Sequence, residues 1–200
     1  MVQVTVNGMS EPSLASIQAS NVQAITIIGS DSENLIDVSG VTAAEFTFVG
    51  LDGADSIDGS DGDDSIAAGA GDEPVNSGNG SDIIDSGTGN DVIDSDDGAD
   101  SVNGGDGDDT INSGDGSDTV DGGAGADSIN GMVGQNSLVG GADNDTVFGG
   151  SEDDTIEGGD GDDLLNGQAG NDTANATLTM TSPLGEAAET RCSAGMATTF

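Results

Sequence analysis

From Gly50 to Asn175 the chain repeats every nine residues without a gap, 14 times over 126 residues. Typical units are GSDGDDSIA (59–67), SGTGNDVID (86–94), SGDGSDTVD (113–121), GGAGADSIN (122–130) and GGDGDDLLN (158–166). Four columns hold phase. The eighth position is apolar in all 14 units, from Ile57 to Ala174. The sixth is Asp in 12, with Glu73 and Asn136 departing, and the fourth is Gly in 12, with Asp143 and Glu152 departing. The first and second positions are each Gly in nine. A period this short and regular is the mark of a stacked solenoid.

Each column translates into geometry. Glycines crowded into the first four positions suit a turn with positive φ and close backbone approach. Positions seven to nine read Ser or Thr, an aliphatic residue, then usually Asp or Asn, which is a three-residue strand with one side chain inward. One such strand cannot bury its aliphatic residue alone. Two nonads together make a flattened coil whose strands face each other across a thin core. Coils stacked about 4.8 Å apart then give two parallel sheets. Fourteen nonads predict seven coils, about 34 Å of roll at that spacing. The expected fold is all-β, a parallel β-roll.

The flanks predict a division into three parts. Residues 1–49 alternate Val2, Val4 and Val6, then carry Ile25 to Ile28, Phe46 and Phe48, with one degenerate repeat, GSDSENLID, at 29–37. They are expected to form irregular β-structure capping the roll of 50–175. Residues 176–200 change composition and contain Pro183 and Gly185, which predicts a poorly ordered tail.

Charge decides what such a roll needs. The formal net charge is −38, from 39 acids against one base, Arg191. By composition alone this reads as disorder. A surface so acidic repels phosphate backbones and anionic lipid, so nucleic acid is not an expected partner, and no apolar run is long enough for membrane insertion. In a roll, the sixth-position carboxylates of nonads n and n+2 stack about 4.8 Å apart. Two such charges repel by about 3–4 kcal/mol at an effective dielectric near 20. Repeated along the stack, that exceeds the roughly 5–15 kcal/mol of a domain's stability. Something must neutralise the columns.

The available ligands are all oxygen. There is no His, and the lone thiol, Cys192, lies outside the repeats and forms no internal disulfide. Zinc, copper and iron–sulfur chemistry are disfavoured. Hard oxygen donors on a flexible loop suit calcium, whereas magnesium demands tighter octahedral geometry. Eight stacked pairs carry Asp on both levels: 64/82, 82/100, 91/109, 100/118, 109/127, 127/145, 145/163 and 154/172. That pattern predicts about eight calcium ions or more.

These nonads resemble the repeat of the RTX (repeats-in-toxin), or haemolysin-type calcium-binding, family. GGDGDDTIN (104–112) and GGAGADSIN (122–130) match its pattern of two glycines, a third at position four, Asp at six and an aliphatic at eight. The resemblance implies a β-roll with each calcium held between the turns of nonads n and n+2. It also implies export by a type I secretion machinery and folding outside the cell. Carried onto this chain, the ligands are Asp55, Asp64, Asp82, Asp91, Asp100, Asp109, Asp118, Asp127, Asp145, Asp154, Asp163 and Asp172. Glu73 is one methylene longer, Pro74 removes a ladder donor, and Asn136 lacks the charge, so weak or absent sites are expected at 68–76 and 131–139. Asp106 and Asp108 are expected on the outside.

The expected function is a calcium-binding structural module, secreted or extracellular, monomeric or part of a longer chain. The first 30 residues hold no Lys or Arg, so a cleavable secretion leader is not expected. No catalysis is expected: without His there is no H-E-x-x-H and no Ser–His pair, and G-x-S-x-G is absent. RTX proteins often carry an enzyme beside the roll, so a secretion and folding module of a larger toxin or enzyme is the alternative. Adhesion or a spacer role stays open. Ice binding is disfavoured, because Thr88 and Asn90 are not repeated: the equivalent pairs read Asp61/Asp63, Asn79/Ser81, Asp106/Asp108 and Ala124/Ala126.

Overall fold

The computed structural model describes residues 24–29, 32–39, 45–175 and 191–193. The described residues hold strands and turns, with no helix long and apolar enough to cross a membrane. One sheet contains β1 (Ala24–Ile28), β3 (Glu45–Asp52), β5 (Ser65–Ala70), β7 (Ile83–Thr88), β9 (Ser101–Asp106), β11 (Thr119–Ala124), β13 (Ser137–Ala142), β15 (Thr155–Asp160) and β17 (Thr173–Asn175). The other contains β2 (Leu35–Asp37), β4 (Ser56–Asp58), β6 (Pro74–Asn76), β8 (Val92–Asp94), β10 (Thr110–Asn112), β12 (Ser128–Asn130), β14 (Thr146–Ser151), β16 (Leu164–Ala169) and β18 (Arg191–Ser193). Odd strands lie in one nine-stranded sheet and even strands in the other, all parallel. The chain is a β-solenoid of about eight turns, one more than the seven expected from the regular nonads, because β1 and β2 stack on the roll ahead of them.

The register is that of the nonad pair. Val120 lies beside Val102 and Leu138, and Ile111 beside Ile93 and Ile129, each 18 residues apart. The core is the expected double ladder, with Ile57, Ile66, Ile84, Ile93, Ile111, Ile129, Ile156 and Leu165 fully buried. Parallel stacking places like residues on like residues, so a single aliphatic per nonad suffices to fill the thin interior.

Strand length departs from expectation. Three-residue strands occur in the even sheet from β2 to β12, but from β5 to β15 the odd sheet has six-residue strands running from position seven into position three of the next nonad. Second-position φ does not set this difference: it is 57° at Asp96 and 58° at Met132 after short strands, but also 64° at Gln168 and 102° at Gly105 inside six-residue ones. After β8, β10 and β12 the ladder resumes as single bridges at Asp97, Asp115 and Val133.

The expected start of the roll at Gly50 falls inside β3. Upstream, β1 pairs with β3 and β2 with β4, both offset by 21 residues in place of 18. The GSDSENLID segment thus contributes β2 to the even sheet, and the three added residues lie between Asp37 and Thr47. At the far end Leu165 lies beside Cys192, an offset of 27, or one nonad more than the usual coil. The rest of the expected cap and tail, residues 1–23, 176–190 and 194–200 among them, lies outside the described residues.

Candidate metal centre

The coil period brings the sixth-position groups into two columns. In one, the main-chain N–H of Glu73 donates to Oδ1 of Asp91, Asp91 to Asp109, and Asp109 to Asp127, each at 2.8 Å. The column continues from Asp127 to Asp145 (2.8 Å) and from Asp145 to Asp163 (3.1 Å). In the other, Asp64 donates to Asp82 (2.7 Å), Asp82 to Asp100 (2.9 Å) and Asp100 to Asp118 (3.0 Å). It runs on through Asn136 (2.9 Å) to Asp154 (2.8 Å) and Asp172 (3.1 Å). All eight Asp pairs named from the sequence are therefore directly joined. Each N–H at this turn would otherwise be an orphan donor, and one carboxylate oxygen from the coil above satisfies it.

The second oxygen is different. Oδ2 of Asp55, Asp82, Asp91, Asp100, Asp109, Asp118, Asp127, Asp145, Asp154, Asp163 and Asp172 is buried and finds no hydrogen-bond donor among the described residues. Both carboxylate oxygens of Glu73 are in the same state. A buried acceptor without a donor costs about 1–3 kcal/mol, more when charged. Eleven of the 12 aspartates carried over from the sequence pattern share this feature. Asp64 does not: its Oδ2 accepts from Ser60 N at 2.9 Å and Ser60 Oγ at 3.1 Å.

Asn136 shows what the orphaned oxygens lack. Its Nδ2 donates to the carbonyl of Gly131, the first residue of the same nonad, at 2.8 Å. An aspartate in that place turns a second acceptor toward the carbonyl, and only a cation or an added proton reconciles the two. First-position glycine makes the approach possible. A Cβ on Gly122 would lie 2.5 Å from both Asp127 Oδ2 and the Gly140 carbonyl, and one on Gly104 would lie 2.6 Å from Asp109 Oδ2 and 2.5 Å from the Gly122 carbonyl. Carboxylate and carbonyl oxygens thus gather on one side of the turn, a donor set that fits a hard cation. Among the described residues no three acidic side chains form a metal-binding cluster. A cation at these turns would be met by the columned carboxylates and by main-chain carbonyls.

Electrostatics point the same way. Burial pushes the carboxyls of Asp64, Asp109, Asp127, Asp145 and Asp154 up to about 6 and that of Asp100 to about 7, against the lowering effect of main-chain hydrogen bonds. Asp55, Asp82 and Asp118 shift upward for the same first cause. Glu73 is pushed up to about 8 by burial and then by the charge of Asp91. A stack without cations therefore favours protonated acids, the expected response of buried like charges.

Several participants escape the sequence pattern. Phe46 takes the sixth position one coil before Asp64, its N–H donating to Asp64 Oδ1 at 2.8 Å. Its ring stacks on Phe48 at 5.6 Å, so an apolar side chain closes that column. Asn34 closes the other, donating to Asp55 Oδ1 from N at 2.8 Å and from Nδ2 at 2.9 Å. Extending the nine-residue frame upstream places Phe46 at this position; its missing carboxylate hides it. Asp106 and Asp108 are exposed, as expected. Asp108 nonetheless belongs to an outer ladder of fifth-position groups running in the opposite sense. Asn90 Oδ1 accepts from Asp108 N (2.8 Å), and Asp108 Oδ1 accepts from Ala126 N (2.9 Å).

A family model described as the RTX calcium-binding nonapeptide repeat (4 copies) matches residues 47–72, 76–111, 103–138, 112–147 and 139–174. The break between the first two segments falls on Glu73, Pro74 and Val75. No curated protein matches the sequence.

Proposed function

The chain belongs to the family of RTX calcium-binding nonapeptide repeats, and from that membership we propose that it is a module that folds as it takes up calcium outside the cell. The single observation carrying this reading is the set of buried Oδ2 atoms left without a hydrogen-bond partner, relieved at Asn136 by an amide donor. Asp55, Asp82, Asp91, Asp100, Asp109, Asp118, Asp127, Asp145, Asp154, Asp163 and Asp172 are the proposed ligands, with Oδ1 spent on the main chain and Oδ2 offered to the ion. Asp64 is proposed as a weaker ligand, because Ser60 already donates to its free oxygen. Calcium supplies the positive charge that lets successive carboxylates share a column. The aspartates position themselves through the Oδ1 bonds, first-position glycine clears the space beside seven of those eleven, and buried aliphatics exclude water.

Ion binding to the folded state alone is folding free energy. Low calcium would then leave the chain extended, and extracellular calcium would order it, a range in which weak oxygen-ligand sites operate. Secretion fits this supply. The test is circular dichroism with calorimetry. Millimolar calcium, but not equal magnesium, should convert a coil spectrum to a β-rich one with several ions bound per chain. A β-rich spectrum in chelator that ignores added calcium would overturn the reading.

A further inference from the structure

The first position of the nonad varies in a way the ion pattern does not use. Nine nonads open on Gly, whereas four open on Ser77, Ser86, Ser95 and Ser113. All four serines are fully buried. Each hydroxyl donates to the first-position carbonyl one coil further on: Ser77 to Ser95 at 3.2 Å, Ser86 to Gly104, Ser95 to Ser113 at 2.9 Å, and Ser113 to Gly131 at 3.3 Å. These are the same class of carbonyl that face the orphaned carboxylates.

A carbonyl oxygen has two lone pairs. Where a serine lies beneath, one lone pair is fixed by the hydroxyl and the other is left for the site. The receiving carbonyls of Ser95, Gly104 and Ser113 open the nonads of Asp100, Asp109 and Asp118, and the hydroxyls of Ser95 and Ser113 also lie against the carboxyls of Asp100 and Asp118 in their own nonads. The fourth carbonyl, Gly131, is already taken a second time by Asn136 Nδ2 at 2.8 Å, so Ser113 serves a position with no acceptor left for an ion.

We propose that Ser77, Ser86 and Ser95 are positioning residues that pre-set the carbonyl ligands beside Asp100, Asp109 and Asp118, so that the middle of the roll takes up calcium first and releases it last. This rests on the calcium reading given above. A group already held in its bound orientation pays less ordering entropy on binding. Nonads 140–148, 149–157, 158–166 and 167–175 stack on glycine at the first position, lack this support and bind later.

An exposed serine of the even sheet supplies the control. Stopped-flow release of calcium from the full chain into a fluorescent chelator should resolve a slow group of ions in the unsubstituted protein. Ser77→Ala, Ser86→Ala and Ser95→Ala together should speed that group about fivefold, the effect of losing one ordinary hydrogen bond per site. Each single change should speed about one ion. Ser128→Ala changes an exposed serine of β12 that lies outside the first-position column and should leave the release phases unchanged. Equal release from the triple variant and the parent overturns the inference, as does an equal acceleration by Ser128→Ala and Ser95→Ala. A parent chain that binds no calcium at all overturns the calcium reading itself, which a serine effect cannot mimic.

Discussion

Nδ2 of Asn136 and the carbonyl of Gly131 lie 2.8 Å apart within one turn, the only sixth-position side chain among the described residues of the repeats that brings its own proton to the slot. Asn136→Asp should therefore convert a self-satisfied turn into a further ion site. Calorimetry should count one additional calcium per chain at saturation, while the β-rich spectrum should need more calcium to appear. An unchanged ion count would show that the slot is closed for reasons other than its amide.

Inner and outer carboxylates of one coil should differ sharply. Asp109→Ala combined with Asp127→Ala removes two Oδ1 bonds and two unpartnered oxygens from the same column. The calcium midpoint should rise at least tenfold, which corresponds to about 1.4 kcal/mol. Asp106→Ala, on the exposed face, should stay within about twofold. Asp108→Ala should fall between, because it loses the cap on Ala126 N, worth about 0.5–1.5 kcal/mol. Circular dichroism titration of the three variants orders them.

Glu73→Asp should improve the weakest place in its column. The longer side chain leaves both oxygens buried without donors and beside Asp91, and its carboxyl is pushed up to about 8. Shortening it restores the reach of its neighbours, so the calcium midpoint should fall and the bound-ion count rise. Glu73→Gln should remove the charge and leave the count unchanged. Titration calorimetry separates these two outcomes.

Acid should help the metal-free chain. The carboxyls of Asp109, Asp127, Asp145 and Asp154 move from an ordinary 3.8 to about 6 when folded. A folded pKa above the unfolded one means that the roll binds more protons than the coil. Its contribution to stability is then fully present below pH about 4 and is lost as pH rises through about 6. In chelator, β-structure measured by circular dichroism should grow as pH falls from 7 to 4. With calcium present the same protons compete with the ions, so the calcium midpoint should climb over that range.

The core, the coil and the columns were legible in the sequence because a solenoid is nearly one-dimensional. Residue 18 positions on is a spatial neighbour, so Ile111 and Ile129, or Asp109 and Asp127, can be placed by counting. What counting misses depends on conformation or on the chemistry of single atoms. The two sheets differ in strand length although their nonads share one pattern, and in the even sheet the ladder is interrupted and then resumes as single bridges at Asp97, Asp115 and Val133. The division of labour between Oδ1 and Oδ2 needs hydrogen-bond geometry. Phe46 was invisible as a column end because the pattern looks for acid there, and a ring that excludes water does the closing. The 27-residue step to β18 adds a whole nonad between neighbouring strands, which no column of the repeat announces.

The 18-residue offset between stacked partners also bears on how such a gene can change length. Gain or loss of eighteen codons adds or removes one rung and leaves every other side chain facing its old neighbour. A slip of nine codons exchanges the two sheets for everything downstream, so that serine-bearing turns would land in the opposite row. Unequal recombination is thus filtered by parity, and the roll can act as a ruler whose graduations are whole coils.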